Sequence, residues 1–395
     1  MAQVIAVPYD NLKTGVVTQR YFAFVFNAGL GAIQLNSSVD GGVTWTSVTL
    51  SGGPPSGFVG TAPAATAFFS GNLTSAGAAI NQFYVFAVGN DHHLWLNVSL
   101  NDGETWNWQD QGALTGGASI ANAPDSASIE VVGTSLEYDV YCYVVGSDGH
   151  LYVNYSENSG KSWNWAKRGA PSGVKLASQP SALAYFDGTN LSFYAFAVGN
   201  DKNLYANVGD GSVWNWHNLG QPIGGVENSG GFQPTALTVP PDAAKEIYAF
   251  VVGTDGNLHA VYSPAGGTGW KWENLGPPPG GVGFQTFVPN ALRAAGVETK
   301  SGAFSWPVYV FAVGGDYNLY MNSSPDASLG LSAAWSWQGL GQPSGSPPLM
   351  SLIGTVSSTE VEASVADEQF YAFVYDIEYG VNIISWDGST WSWLP

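Results

Sequence analysis

The chain has 395 residues, a formal net charge of −19, 10% charged and 14% aromatic residues, and 51 glycines. With three arginines (Arg20, Arg168, Arg293) and no Lys/Arg cluster, it argues against binding to nucleic acid or to an anionic membrane surface, since both need gathered cations. No stretch approaches a membrane span, and a single cysteine, Cys142, forbids an intramolecular disulfide.

Taken in chain order, Gln3 to Val7 reads as a short strand, and Phe22 to Trp45 as a degraded copy of a cassette that is clearest next. That cassette is Phe83-Tyr84-Val85-Phe86-Ala87-Val88-Gly89-Asn90-Asp91-His92-His93-Leu94-Trp95-Leu96-Asn97, followed by Trp106-Asn107-Trp108. It returns from Tyr141 to Trp165, Tyr194 to Trp216, Tyr248 to Trp272 and Tyr309 to Trp337, and in degraded form from Tyr371 to Trp393. Its markers (Trp45, Trp106, Trp163, Trp214, Trp270, Trp335 and Trp391) recur about every 58 residues, and a fixed period with strand-like content means a repeat architecture.

Each copy reads as four short strands. The first carries small residues around Pro and Ala, as in Pro180-Ser181-Ala182-Leu183, Pro234-Thr235-Ala236-Leu237 and Pro289-Asn290-Ala291-Leu292. The second alternates aromatic and small apolar residues, the third is Leu-aromatic-x-Asn, and the fourth is Trp-x-Trp, whose two rings share one side of the strand. A Gly-x-Asp-x-x-Leu hairpin joins strands two and three, Gly supplying unusual backbone angles and Asp bonding its own turn. Four antiparallel strands per copy, seven times, predict an all-β, seven-bladed propeller in one domain. Its blades are expected near 1–50, 58–112, 118–170, 176–220, 230–276, 285–341 and 346–395. The chain then begins with an innermost strand and ends with an outermost one, so no blade is shared between the ends. Ring closure would rest on blade 1 against blade 7. The Gly-x-Asp hairpins share a face with the linking stretches Leu219-Gly220-Gln221-Pro222, Leu275-Gly276-Pro277-Pro278 and Leu340-Gly341-Gln342-Pro343.

A repeat fold asks for a site built several times over. On the third strand an aromatic and an Asn lie two apart, at Trp95/Asn97, Tyr152/Asn154, Tyr205/Asn207 and Tyr320/Asn322, so they point to one side. A sugar ring fits such a pair: its C–H face stacks and its hydroxyls bond the amide. The competing reading is blade-to-blade packing with a satisfied Asn. Asp91, Asp148, Asp201 and Asp316, with Asp255 in blade 5, are turn formers and also candidate hydroxyl acceptors. The Trp-x-Trp pairs read first as rim core. Blade 5 has His259-Ala260-Val261 at the candidate position, and blades 1 and 7 depart most.

Ser38-Val39-Asp40-Gly41-Gly42-Val43-Thr44-Trp45 fits the Asp-box pattern of sialidase propellers, a turn device. Ser99 to Trp106 and Ser156 to Trp163 are near copies with Asn in place of Asp. The arginines occupy unrelated repeat positions, which argues against a sialidase's arginine triad. Five scattered histidines (His92, His93, His150, His217, His259) point to no metal, and no cofactor is implied. Sequons at Asn36, Asn72, Asn97, Asn154, Asn190 and Asn322 follow the repeat in four cases rather than marking glycosylation. No signal peptide is readable at the amino terminus. The expectation is a soluble chain, cytoplasmic or released by a non-classical route.

The run Val88-Gly89-x-Asp91-x-x-Leu94-Trp95 with Trp106-x-Trp108, closed by Leu-Gly as at Leu219-Gly220 and Leu275-Gly276, resembles the repeat of seven-bladed propeller lectins of the Photorhabdus type. The tryptophans here are two apart rather than three. The resemblance implies non-catalytic binding of fucose or O-methylated sugars in several pockets between blades. Multivalent glycan recognition is therefore expected, with homo-oligomerisation left open. A protein-interaction scaffold and an Asp-box glycosidase are the alternatives.

Overall fold

The computed structural model describes residues 2–11, 16–40, 44–73, 79–130, 138–186, 190–227, 232–239, 246–264, 266–285, 292–296, 307–327, 334–357, 370–376, 378, 381–386 and 390–394. Among them the chain forms seven four-stranded antiparallel sheets, each from four consecutive strands. This is the seven-bladed β-propeller class that the repeat predicts. Blade 3 shows the plan, with strands Asp125–Glu130, Tyr138–Val145, Leu151–Ser156 and Asn164–Gly169. The other blades run over 2–49, 64–110, 181–220, 235–276, 292–341 and 349–393. The chain falls into two compact units, Met1–Ala170 with blades 1 to 3 and Pro171–Pro395 with blades 4 to 7. Residues 289–291 of the third first-strand motif, and 41–43 of the first Asp box, lie outside the described residues. No helix among those described is long and apolar enough to cross a membrane.

The second strand of each blade lacks polar alternation because both its faces are covered. In blade 2, Tyr84, Phe86 and Val88 pack with Val140, Cys142 and Val144 of blade 3. The intervening Phe83, Val85 and Ala87 pack with Phe22, Phe24 and Leu35 of blade 1. In the second unit, Tyr194, Phe196 and Val198 meet Ile247, Ala249 and Val251 in the same way. Burying one such large side chain contributes about 2 kcal/mol. The first strands of successive blades touch within each unit, and Ala294 donates its backbone N–H to Thr235 Oγ1 at 3.2 Å across one such contact. Cys142 is fully buried, and burial pushes its thiol up.

Both tryptophans of each pair lie half-buried on one side, as strand periodicity requires. Trp163 and Trp165 pack against the cluster between blades 2 and 3. The first locks its turn, since Trp106, Trp163, Trp214 and Trp270 donate Nε1–H to the carbonyls of Gly103, Gly160, Gly211 and Gly267. The second ties its blade to the one before: Trp165, Trp272, Trp337 and Trp393 donate to the carbonyls of Gln111, Leu219, Leu275 and Leu340.

The Asp-box turns fasten neighbouring blades from the opposite end. Asp40 accepts from Ser38 Oγ, Thr44 N and Thr44 Oγ1 at 2.8, 2.9 and 2.6 Å. Asn101 and Asn158 take over the same role in blades 2 and 3. Tyr84 of blade 2 then donates its hydroxyl to the carbonyl of Ser159 in the blade 3 turn, at 2.9 Å. Tyr194 and Tyr248 do likewise to Gly266 and Ala327 of their successor blades.

Candidate functional site

The hairpin between strands two and three is the same small device five times. Its Asp accepts a backbone N–H from the residue two further on: His93, His150, Asn203, Asn257 and Asn318 donate to Asp91, Asp148, Asp201, Asp255 and Asp316 at 3.0–3.2 Å. The left-handed residue is the one after Asp, namely His92, Gly149, Lys202, Gly256 or Tyr317. This corrects the reading that the opening glycine supplies unusual angles. Gly89, Gly146, Gly199, Gly253 and Gly314 are not left-handed. A Cβ on any of them would come within 3 Å of both the hairpin Asp and the aromatic or His four residues after it. Glycine is needed there so that the two side chains can close over the backbone.

What closes is a hydrogen bond the spacing alone did not reveal. Tyr152, Tyr205 and Tyr320 donate their hydroxyls to Oδ2 of Asp148, Asp201 and Asp316 at 2.8, 2.7 and 2.7 Å. Trp95 donates Nε1–H to Asp91 at 3.2 Å. In blade 5, His259 Nε2 lies 3.0 Å from Asp255. The aromatic of each predicted pair is thus coupled to the predicted Asp, across a hairpin, at i and i+4. Such a pair could have been sought in the sequence, because the hairpin folds the third strand back beside its own turn.

Electrostatically the pairs are donor and anion. Burial pushes the Asp201 and Asp316 carboxyls up, but hydrogen bonds from the tyrosine and asparagine beside them outweigh it and hold both below the usual carboxylate range. Asp148 is held well below it by Lys167, Tyr152 and His150, again against burial. Tyr320 is pushed up to about 12 by burial and by its bond to Asp316. At neutral pH the Asp148/Tyr152, Asp201/Tyr205 and Asp316/Tyr320 sites each present an ionised carboxylate beside a neutral phenol.

The asparagines take a different place from the one expected. Asn97, Asn154, Asn207 and Asn322 are 0–1% exposed, and Tyr152, Tyr205 and Tyr320 are only 1, 4 and 8% exposed, so both members of three pairs are covered and Trp95 alone of the four aromatics is half-buried. Neither amide atom of Asn97 has a hydrogen-bond partner in the protein, and the same is true of Oδ1 in Asn154, Asn207 and Asn322. Three of the sequons are therefore buried. The reason is general: residues two apart share a face, but a propeller blade has a neighbour on each face, and the strand pattern does not say where the cover ends.

One position escaped the sequence reading, the fourth-strand residue opposite the aromatic. It is Asp110 opposite Trp95, Lys167 opposite Tyr152, Asn218 opposite Tyr205, Asn274 opposite His259 and Gly339 opposite Tyr320. In blades 3 to 6 the register slips just beyond it, at left-handed Gly169, Gly220, Gly276 and Gly341. Asp110, Asn218 and Asn274 turn back to accept the N–H of the glycine two residues on, at 2.7–2.8 Å. Lys167 cannot accept, and instead donates Nζ to Asp148 at 2.9 Å.

The hairpins and the loops that link blades do share a face within each unit. Phe58, Ile120, Leu176, Val226 and Phe284 form single bridges with the hairpin glycines Gly89, Gly146, Gly199, Gly253 and Gly314. Beside Trp95, Trp108 packs on Phe58 with ring centres 4.9 Å apart. Of the arginines, Arg20 pairs with Asp102 of blade 2, Arg168 lies 6.0 Å over Tyr155, and Arg293 bonds the carbonyl of Leu292.

Neither a protein-family model nor a curated protein matches the chain. Solved structures do. The BP39L lectin of Burkholderia pseudomallei is 20% identical with a TM-score of 0.68, over 99% of this chain and 97% of that one. The lectin of Aleuria aurantia, described as a six-bladed β-propeller with a novel fucose recognition mode, is 13% identical with a TM-score of 0.53, over 87% of this chain and 98% of that one. An α-L-arabinofuranosidase of Fusarium graminearum is 12% identical with a TM-score of 0.51, over 85% and 95%. At these identities the likeness establishes the propeller fold, which lectins and a glycosidase share.

Proposed function

We propose that the chain is a carbohydrate-binding lectin that captures glycans at the Gly-x-Asp hairpins and catalyses nothing. The observation that carries the reading is the fourfold repetition of one constellation, a carboxylate accepting a hydrogen bond from an aromatic side chain, at Asp91/Trp95, Asp148/Tyr152, Asp201/Tyr205 and Asp316/Tyr320. The carboxylates form the outer layer that meets a sugar's hydroxyls, and the half-buried Trp95 offers the most ring surface to its C–H face. Asn154, Asn207 and Asn322 form an inner layer, donating to the carbonyls of Asn164, Asn215 and Leu275, and Asn97 is buried with them. Several weak sites on one fold raise apparent affinity on a dense glycan surface. The propeller lectins it is similar to support this reading, and the Photorhabdus-type cassette adds fucose and O-methylated sugars as the first ligands to try. Binding rather than turnover fits Asp148, Asp201 and Asp316, which are held below the usual carboxylate range, whereas a glycosidase acid must hold a proton near neutral pH.

A glycan array that includes fucosides and methylated sugars, followed by titration calorimetry, tests it. Several equivalents per chain are expected, falling stepwise in Trp95→Ala, Tyr205→Ala and Tyr320→Ala. A protein that binds no glycan on such an array, or that cleaves a chromogenic arabinofuranoside, would refute the proposal.

A further inference from the structure

We propose that the Asp316/Tyr320 hairpin of blade 6 takes the ammonium group of an amino sugar, and that Lys167 is a built-in occupant of the equivalent place in blade 3. The inference deepens the glycan-binding reading and rests on it.

Blade 3 displays what the pair accepts. Lys167 Nζ sits 2.9 Å from Asp148 Oδ2 and 5.2 Å from the centre of the Tyr152 ring. A primary ammonium is therefore held by a carboxylate on one side and an aromatic ring on the other, the two attractions that such a cation answers to. Tyr152 is left 1% exposed.

Blade 6 has the same pair without the tether. Gly339 stands opposite Tyr320 where Lys167 stands opposite Tyr152, and Tyr320 is 8% exposed. Asp316 accepts from Tyr320 Oη, Asn318 Nδ2 and Asn318 N. All three donors are neutral, and no cation pairs with Asp316 among the described residues. In blade 4 the fourth strand instead places Asn218 opposite Tyr205, and in blade 5 His259 already engages Asp255.

A second feature marks blade 6. Its left-handed hairpin residue is Tyr317, with φ of 66°, a conformation a bulky side chain adopts only at a cost. Blades 2 and 4 place His92 and Lys202 in the same conformation and blades 3 and 5 use Gly149 and Gly256, whereas blade 6 places there a tyrosine, directly after Asp316 in the chain and 38% exposed. A sugar with its ammonium on Asp316 would have a second ring to lie against. The net charge of −19 also raises the local concentration of cations.

The test is calorimetric titration of the full chain with D-glucosamine, N-acetylglucosamine and glucose, at mildly acidic pH where the amine is charged and Asp316 stays ionised. D-glucosamine is expected to bind about tenfold more tightly than the acetylated sugar. Gly339→Lys should remove one equivalent by supplying a tethered ammonium, and Lys167→Ala should add one at Asp148/Tyr152. A merely structural Lys167 would produce no added equivalent. Should Gly339→Lys fail to fold, Asp316→Asn keeps the acceptor, removes the charge, and should erase the preference for D-glucosamine. Equal binding of the two sugars, or D-glucosamine stoichiometry untouched by Gly339→Lys in a folded protein, overturns the inference. If fucosides bind with no ammonium preference, this inference alone falls; if no sugar binds, the lectin reading falls with it.

Discussion

In the turn between strands three and four, Asp40 commits both carboxylate oxygens to its own turn, accepting from Ser38 and Thr44. In the hairpin between strands two and three, Asp148 uses Oδ1 for its turn and offers Oδ2 to Tyr152, Lys167 and His150. The first kind of turn tolerates loss of charge: Asn101 and Asn158 replace the acid and keep the bonds. The second kind is Asp in the five Gly-x-Asp copies, Asp91, Asp148, Asp201, Asp255 and Asp316, while the divergent hairpin of blade 1 uses Asn27, whose Oδ1 accepts the N–H of Gly29. A turn needs an acceptor, which an amide oxygen supplies as well as a carboxylate. Charge retained at these five hairpins exceeds what the turn requires, and that surplus separates a structural end of the blade from a binding end.

The largest effect should come from a residue that anchors the structural end. Trp163 packs edge-on against Phe86 with ring centres 5.5 Å apart, meets Tyr84 at 5.9 Å, and donates Nε1–H to Gly160. Trp163→Ala should lower stability by about 3 kcal/mol, measured by denaturant unfolding, while sugar binding at the hairpins of the folded fraction persists. Loss of binding ahead of unfolding would mean that the two ends are not separable.

At the binding end, the sharpest single change is Gly314→Ala. The added Cβ would stand within 3 Å of Asp316 Oδ1 and of the Tyr320 ring, so the pair must open. A cost of about 2 kcal/mol is expected from forced repacking, together with loss of the blade 6 equivalent in calorimetry. A variant that keeps full stoichiometry would show that the closed pair is not what a ligand meets.

This division was partly legible in the chain. The tryptophan period, the strand pairing, the hairpins and the Asp-box turns follow from residues close in sequence, where alternation and turn chemistry act. The Asp–aromatic bond lies at i and i+4 and was within reach, hidden because both residues already had a separate reading. Other features were beyond reach. Whether Asn154 faces solvent depends on where blade 2 ends, and the pairing of Arg20 with Asp102, 82 residues away, breaks the repeat rather than following it. A close approach and a left-handed angle both call for glycine, so the letter alone does not say which of the two the hairpin's opening glycine serves.

The smallest effect isolates the charge itself. Three hydrogen bonds, the largest from the Thr44 hydroxyl, lower the Asp40 carboxyl from 3.8 to about 2. Between those values the unfolded chain holds a proton that the folded chain does not. The contribution of Asp40 is therefore complete above about pH 4 and disappears as pH falls through about 2. Asp40→Asn should leave the melting temperature at neutral pH close to the wild-type value, because Asn101 and Asn158 already serve in that place in blades 2 and 3. It should also flatten the fall in melting temperature between pH 4 and 2. Asp210, lowered to about 2 by the N–H of Val213 and by Ser212, would keep part of that slope in the variant. Equal slopes in the two proteins would mean that the box carboxylate gains nothing from its ionisation. A large loss at neutral pH would mean that charge matters at both ends of the blade, and the contrast between turn and site would then no longer rest on it.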